Sequence, residues 1–277
     1  MRCAWKELKA IIPPWIERQL NGADQDKLNE LRLRAGQAPQ RIRGQECSAL
    51  TGTVKPDDLE YVLQRASHFS PWAAHTLSQG FLTAPGGHRI GVCGQSVIKD
   101  GLVSGFQHVS SVSVRVARDF PDLCSPGDYG GGSVLIIGSP GWGKTTLLRS
   151  LIRCISNEGT KVAVVDERGE LFPADAFDRG RCTDVLTGCS KAAGVEMLLR
   201  TMTPDVIAVD EITSARDTDA LISAGWCGVK VIATAHGASS ADLLRRQVYR
   251  PIVESGLFDE LLVLRPDRSW IGERMVR

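Results

Sequence analysis

The chain has 277 residues, enough for one large domain or, more naturally, two of ordinary size, and its 33 basic and 32 acidic side chains nearly cancel. That balance excludes a protein drawn as a whole onto nucleic acid or anionic lipid, so any such contact must be a local patch. A hydrophobic fraction of 43% and a mean hydropathy of −0.08 exclude both a disordered chain and a membrane-embedded one.

Apolar runs such as Val134 to Ile137 are far too short to cross a bilayer. The opening residues Met1-Arg2-Cys3-Ala4-Trp5-Lys6 lack the apolar stretch and small-residue cleavage site of an export signal, so a cytosolic protein is expected. The eight cysteines include no CxxC pair, and reduced thiols are expected.

From Trp5 to about Leu33, apolar residues recur at roughly helical spacing and are interrupted at Pro13-Pro14, which predicts short helices. Glu30 to Arg34 alternates and stops at Ala35-Gly36, a strand signal, and Gln40 to Arg43 is a second short strand. Leu59, Val62 and Leu63 mark a helix capped by an Asp after Lys55-Pro56-Asp57-Asp58. Period-two strands are predicted at Arg89 to Ile98 and Ser111 to Ala117, around the turn Lys99-Asp100-Gly101. Pro and Gly crowd residues 121–132, which mark a linker between an α+β domain over 1–120 and a second domain over 133–277.

In the second domain, buried β runs at 134–137, 161–165, 206–209 and 229–233 alternate with helical segments, which predicts a parallel sheet. A last strand pair, Glu260 to Leu264 and Trp270 to Val276, is expected to close it. The fold class expected is therefore α/β, a RecA-like P-loop NTPase core with a smaller α+β N-terminal domain.

The chemistry is carried by Gly138-Ser139-Pro140-Gly141-Trp142-Gly143-Lys144-Thr145-Thr146, set between a strand and a helix. Glycines let successive backbone N–H groups turn toward phosphate oxygens, and the helix N-terminus adds positive potential. Lys144 is expected on the terminal phosphates and Thr145 on Mg²⁺. The strand Val206 to Val209 ends in Asp210, expected to hold the metal's water shell, and Glu211, expected to polarise the attacking water. Two further strand ends, Asp166-Glu167 and His236, fall at the same edge of the sheet, where ligands of open α/β sheets bind. Glu167 is a further catalytic candidate, and Asp166 and His236 are nucleotide-contact candidates. Trp142 either shields the phosphates or covers apolar surface beside the loop.

With these four strand ends in order, the chain resembles the ATPases of type II secretion and type IV pili. Leu199 to Asp205 is similar to that family's approach to its Walker B strand, although Asp210-Glu211 stands where the pilus enzymes usually have Gly-Glu. Leu31 to Pro39 looks like the start of the family's small N-terminal domain, so the likeness spans most of the chain. Gly87 to Gly94, Ile98 to Gly101, Val165 to Leu171 and Asp184 to Ala192 are similar to a sporulation branch of this superfamily in endospore-forming bacteria. The resemblance implies an ATP-hydrolysing, Mg²⁺-dependent enzyme in a hexameric ring. It further implies a cytoplasmic protein docked on membrane-embedded channel proteins of the sporulation apparatus, at the mother-cell side of the membrane. It also implies arginines reaching the nucleotide as domains close, with Arg115, Arg89 and Arg118 as candidates and Arg216 as a further one. Two alternatives stay open: an ATP-gated scaffold with negligible turnover, and a RecA-like nucleic-acid ATPase. The absence of a basic stripe with interleaved aromatics leads us to expect no nucleic-acid partner.

Overall fold

A computed structural model describes residues 2–67, 80–120, 123–125, 129–173 and 177–275. The chain divides into two compact units, Met1–Asp119 with Pro173–Phe177, and Phe120–Phe172 with Asp178–Arg277. The linker expected over 121–132 lies partly outside the described residues.

The first unit runs β1 (Arg2–Cys3), α1 (Trp5–Ile11), α2 (Pro14–Glu17), α3 (Gly22–Lys27), β2 (Glu30–Arg34), β3 (Gln40–Arg43) and β4 (Glu46–Ala49). It continues through α4 (Pro56–Ser67), β5 (Phe81–Thr83), β6 (Arg89–Lys99), β7 (Leu102–Arg115) and β8 (Arg118–Asp119). Pro13 and Pro14 break the first helical stretch, and Pro14 then opens α2, where its missing N–H costs nothing. α4 starts at Pro56, ahead of the Asp expected to cap it, and Asp58 instead sits in the first turn and accepts the Lys55 N–H at 2.8 Å. The antiparallel sheet has the order β4-β3-β2-β7-β6-β5, and β1 pairs with β8. Alternation sends Leu31, Leu33, Ile90, Val92, Val112 and Val114 into one core with Leu8, Ile11, Ile16, Leu59 and Val62 of the helices.

The hairpin β6–β7 is longer than the sequence suggests, because its second strand starts at Leu102 rather than Ser111. Asp100 (φ 53°) and Gly101 (φ 78°) make a two-residue turn with both φ angles positive, which matches the twist of the strands and lets pairing continue to the tip. Gly105 and the polar residues around it hide this from a reading by alternation. Residues 94–99 and 102–109 pair only with each other, and Ile98 and Leu102 stand 66% and 74% exposed at the tip.

The second unit runs β9 (Val134–Ile137), α5 (Lys144–Asn157), β10 (Val162–Asp166), β11 (Thr183–Thr187), α6 (Lys191–Thr201) and β12 (Val206–Glu211). It ends with α7 (Ala215–Trp226), β13 (Lys230–Ala235), α8 (Ser240–Arg245), α9 (Arg250–Glu254), β14 (Glu260–Leu264) and β15 (Trp270–Arg274). The sheet order is β11-β10-β12-β13-β9-β14-β15, parallel throughout except for the β14–β15 pair. The strand expected over Trp270 to Val276 stops at Arg274, and Val276 lies outside the described residues. β11, an edge strand of mixed burial, was not expected from the sequence.

Leu135, Ile137, Ala163, Val165, Ile207 and Val209 face a core closed by Val195, Leu198, Leu221 and Ala224 of α6 and α7. The alternate residues face α5, whose Leu147, Leu148, Leu151, Ile152 and Ile155 are buried. Burial on both faces explains the uninterrupted apolar runs. Among the described residues, no helix is long and apolar enough to cross a membrane.

α6 lies close to β10 because it carries a glycine at the contact: a Cβ on Gly194 would stand 2.5 Å from Val165 Cγ1 and 3.1 Å from Cys189 Sγ. Val165 is β-branched and has little room to yield. Gly194→Val is therefore expected to destabilise the chain by about 2–3 kcal/mol, measured by denaturant unfolding, as overpacking of a buried helix–strand contact does.

Candidate functional site

β9 is buried along its whole length and delivers the chain to the loop at the carboxyl edge of the sheet. Gly141 (φ 79°) and Gly143 (φ 104°) take left-handed backbone conformations, and Gly143 is the N-cap of α5. No side chain caps this helix, so its first N–H groups point toward the loop. Gly138 sits in close quarters, since a Cβ there would lie 3.1 Å from Leu264 Cβ, a tight contact, and 3.6 Å from the Trp142 ring. Trp142 is half-buried with its ring beside Gly138, Pro140 and Gly141 are exposed, and Ser139 is half-buried.

Lys144 is only 7% exposed, and its ammonium donates to the carbonyls of Gly138 (3.0 Å) and Ser139 (3.3 Å) and to His236 Nδ1 (3.1 Å). Three protons thus meet three acceptors. Burial lowers its pKa from 10.5, and the charges of Glu211 and Asp210 oppose that shift. An ammonium cannot accept, so His236 Nδ1 carries no proton and the ring proton sits on Nε2, 2.8 Å from Glu211 Oε1. Thr145 Oγ1 stands 3.3 Å from both carboxylate oxygens of Asp210, and Thr146 is half-buried on the same turn of α5.

Adjacent residues of a regular strand face opposite ways, yet Asp210 and Glu211 both belong to this cluster. The register explains it: Val209 pairs with Ala233 and Glu211 with Thr234, leaving Asp210 as the unpaired residue of a β-bulge. A bulge re-aims the side chains around it. Asp210 also accepts from Thr234 Oγ1 at 3.1 Å, so two hydroxyls orient one carboxylate. The sequence reading missed Thr234, although it lies in the same strand end as His236.

Asp166 closes β10 at this edge of the sheet and Glu167 follows it, each with partners of its own. Asp166 is 2% exposed, and its oxygens accept the N–H groups of Glu170 (2.9 Å), Leu171 (2.9 Å) and Phe172 (3.0 Å). Its carboxylate holds the turn after β10. Burial raises its pKa from 3.8, against the lowering effect of the three amides. Glu167 pairs with Lys191 Nζ at 2.5 Å, a residue the sequence reading passed over.

Arg118 donates to the carbonyls of Gln25 (2.8 Å), Leu28 (2.7 Å) and Asp24 (3.4 Å) at the end of α3, which commits it to the first unit's fold. Arg89 lies 4.2 Å from the centroid of Phe81 and is directly across from Arg115 in the β6–β7 register. Both line a cavity of about 480 Å³ on the outer face of the first unit's sheet, together with Arg32, Arg34, Ser111 and Ser113. Arg32 and Arg34 reach this face because they alternate along β2 with the buried Leu31 and Leu33. Arg216 is exposed in the first turn of α7.

Comparison with known proteins agrees with this architecture. Stage III sporulation protein AA of Bacillus subtilis (strain 168) is 34% identical over 279 residues, covering 93% of this chain and 90% of that protein. Among solved structures, the Legionella pneumophila ATPase DotB has a TM-score of 0.60 at 18% identity and covers 95% of this chain and 80% of its own. The pilus retraction motor PilT has a TM-score of 0.62 at 17% identity, covering 88% of this chain and 77% of its own. At such identities these structures establish the fold, a mixed α/β architecture with a RecA-like P-loop core, as expected from the sequence. A family model described as "Sporulation stage III, protein AA" matches residues 6–271, and the chain belongs to that family.

Proposed function

We propose that the chain binds ATP with Mg²⁺ at the loop Gly138 to Thr145 and hydrolyses it, driving or assembling a sporulation-specific membrane channel. The observation that carries this reading is the hydrogen-bonded cluster of Lys144, Thr145, Asp210, Glu211 and His236 at one edge of a parallel sheet. In support, DotB is named an ATPase and PilT a retraction motor with bound ADP.

The donor set fits a magnesium nucleotide. Mg²⁺ favours hard oxygens and keeps several waters and phosphate oxygens, so one hydroxyl and one carboxylate suffice, and Thr145 and Asp210 supply them side by side. The metal would neutralise charge on the phosphate oxygens. Lys144 would exchange the Gly138 and Ser139 carbonyls for phosphate oxygens while the amides of the loop and of the start of α5 bind the phosphate backbone. Glu211, held by His236, would orient the attacking water and take its proton. Arg115 or Arg89 would supply a guanidinium to the transferred phosphoryl as the protein assembles into a ring and its domains close. Attachment to the membrane would run through channel partners on the mother-cell side.

Lys144→Ala should abolish phosphate release and weaken nucleotide binding at least roughly tenfold, measured with a fluorescent nucleotide. Glu211→Gln should keep affinity within a few-fold while turnover falls by about 10²–10⁴. Equal phosphate release by wild type and Lys144→Ala would sink the proposal. A sporulation assay of Glu211→Gln separates work from scaffolding, with a loss of spores expected and normal sporulation pointing to a scaffold.

The pH dependence follows from Lys144. Its pKa without ligand lies below 10.5, and phosphate favours the ammonium, so binding should draw in a proton and affinity should fall as pH rises through the depressed pKa toward 10.5. Titration calorimetry in buffers of different ionisation enthalpy would register this uptake. Proton release in that alkaline range would contradict it.

A further inference from the structure

Past the bulge, β12 and β13 resume their pairing at Glu211 and Thr234, and the Ile212 N–H donates to the Thr234 carbonyl at 2.9 Å. In a parallel ladder that register dictates the next rung, in which the His236 N–H donates to the Ile212 carbonyl. Among the described residues that direct bond is not made. The His236 N–H donates instead to the Tyr249 hydroxyl oxygen at 3.3 Å, and the hydroxyl donates onward to the Ile212 carbonyl at 3.1 Å. A side-chain oxygen thus stands between the two groups of that rung.

The rung sits beside the chemistry. Ile212 follows Glu211 directly, and the His236 backbone carries the ring that bonds both Glu211 and Lys144. Tyr249 is fixed firmly enough to act as a spacer: it is 6% exposed within the core that includes Ile212 and Ile252, and the Thr218 hydroxyl donates to the preceding carbonyl of Val248 at 2.9 Å. Burial raises its phenol pKa above the ordinary 10, so the hydroxyl keeps the proton it donates.

We infer that Tyr249 is a positioning residue, whose hydroxyl sets the separation of the β12 and β13 ends and thereby the meeting of His236 with Glu211 and Lys144. Without the hydroxyl, the His236 N–H and Ile212 carbonyl either close directly or lose their partner, and in both cases the His236 ring moves relative to Glu211. This inference rests on the hydrolytic reading proposed above for its kinetic consequence, and on geometry alone for its spectroscopic one.

The test is Tyr249→Phe in the full chain, alone and combined with His236→Ala. Nitrogen NMR of the His236 ring, assigned by its loss in His236→Ala, should show an Nε2-protonated ring in the wild type and shifted signals in Tyr249→Phe. Turnover should fall roughly ten- to a hundred-fold with nucleotide affinity within about twofold, the signature of displaced catalytic geometry. Added to His236→Ala, Tyr249→Phe should cost less than about a further twofold, because the two changes act through one group.

Unmoved ring signals would overturn the inference, as would an equal loss in the His236→Ala background, a loss of affinity matching the loss of turnover, or a variant that no longer folds, which would assign the hydroxyl to stability. If the wild type releases no phosphate, the proposed function fails, and the ring signals decide the positioning role by themselves.

Discussion

Side chains along an extended strand alternate between faces, so neighbouring carboxylates cannot serve one site unless the strand gives way between them. β12 gives way at Asp210, which has no partner in the β13 ladder. The site then follows as a closed circuit. Thr145 on α5 touches Asp210, Glu211 takes His236 at the end of β13, and His236 returns to Lys144 on α5. Three elements far apart in sequence meet through one irregular residue, in a parallel ladder where bulges are uncommon.

Lys144 and Asp166, two of the charges that the second unit buries, are satisfied by different means. Lys144 spends its three protons on two carbonyls and an imidazole, all acceptors that a phosphate oxygen could replace. Asp166 is held by consecutive backbone amides, which no ligand can displace without unfolding the turn after β10. One charge thus faces carbonyls and an imidazole, and the other closes a turn of the backbone. This separates residues that look equivalent as strand-end polar groups in the sequence.

Much of this was legible in the sequence because it is local. The loop's glycines, Lys144 and Thr145 stand in an unbroken run between a four-residue buried strand and a helix, and the apolar runs of β9, β10, β12 and β13 announce a sheet buried on both faces. What escaped depends on register or on distant partners. β11 is half-exposed and polar at its ends, and the outer part of β7 is held by its turn rather than by alternation. The sequence places Asp166 and Glu167 at the sheet edge but not their bonds, which go to residues 170–172 and to Lys191. Tyr249 reaches 37 residues back to Ile212, and no local pattern marks it.

The hairpin of β6 and β7 leaves a consequence for how the first unit comes apart. Its inner residues join a six-stranded sheet over a helical core, whereas residues 94–99 and 102–109 find strand partners only in each other, with three register irregularities along the hairpin as a whole. A two-stranded ribbon in water is marginal by itself, and at its outer end, residues 95–99 and 102–105, opening uncovers no side chain packed on the core, whereas Phe106 and Val109 nearer the sheet are half-buried against it. The outer end of the ribbon can therefore open while the core below stays shut, so that among the described residues its amides exchange with solvent without the rest of the sheet unfolding.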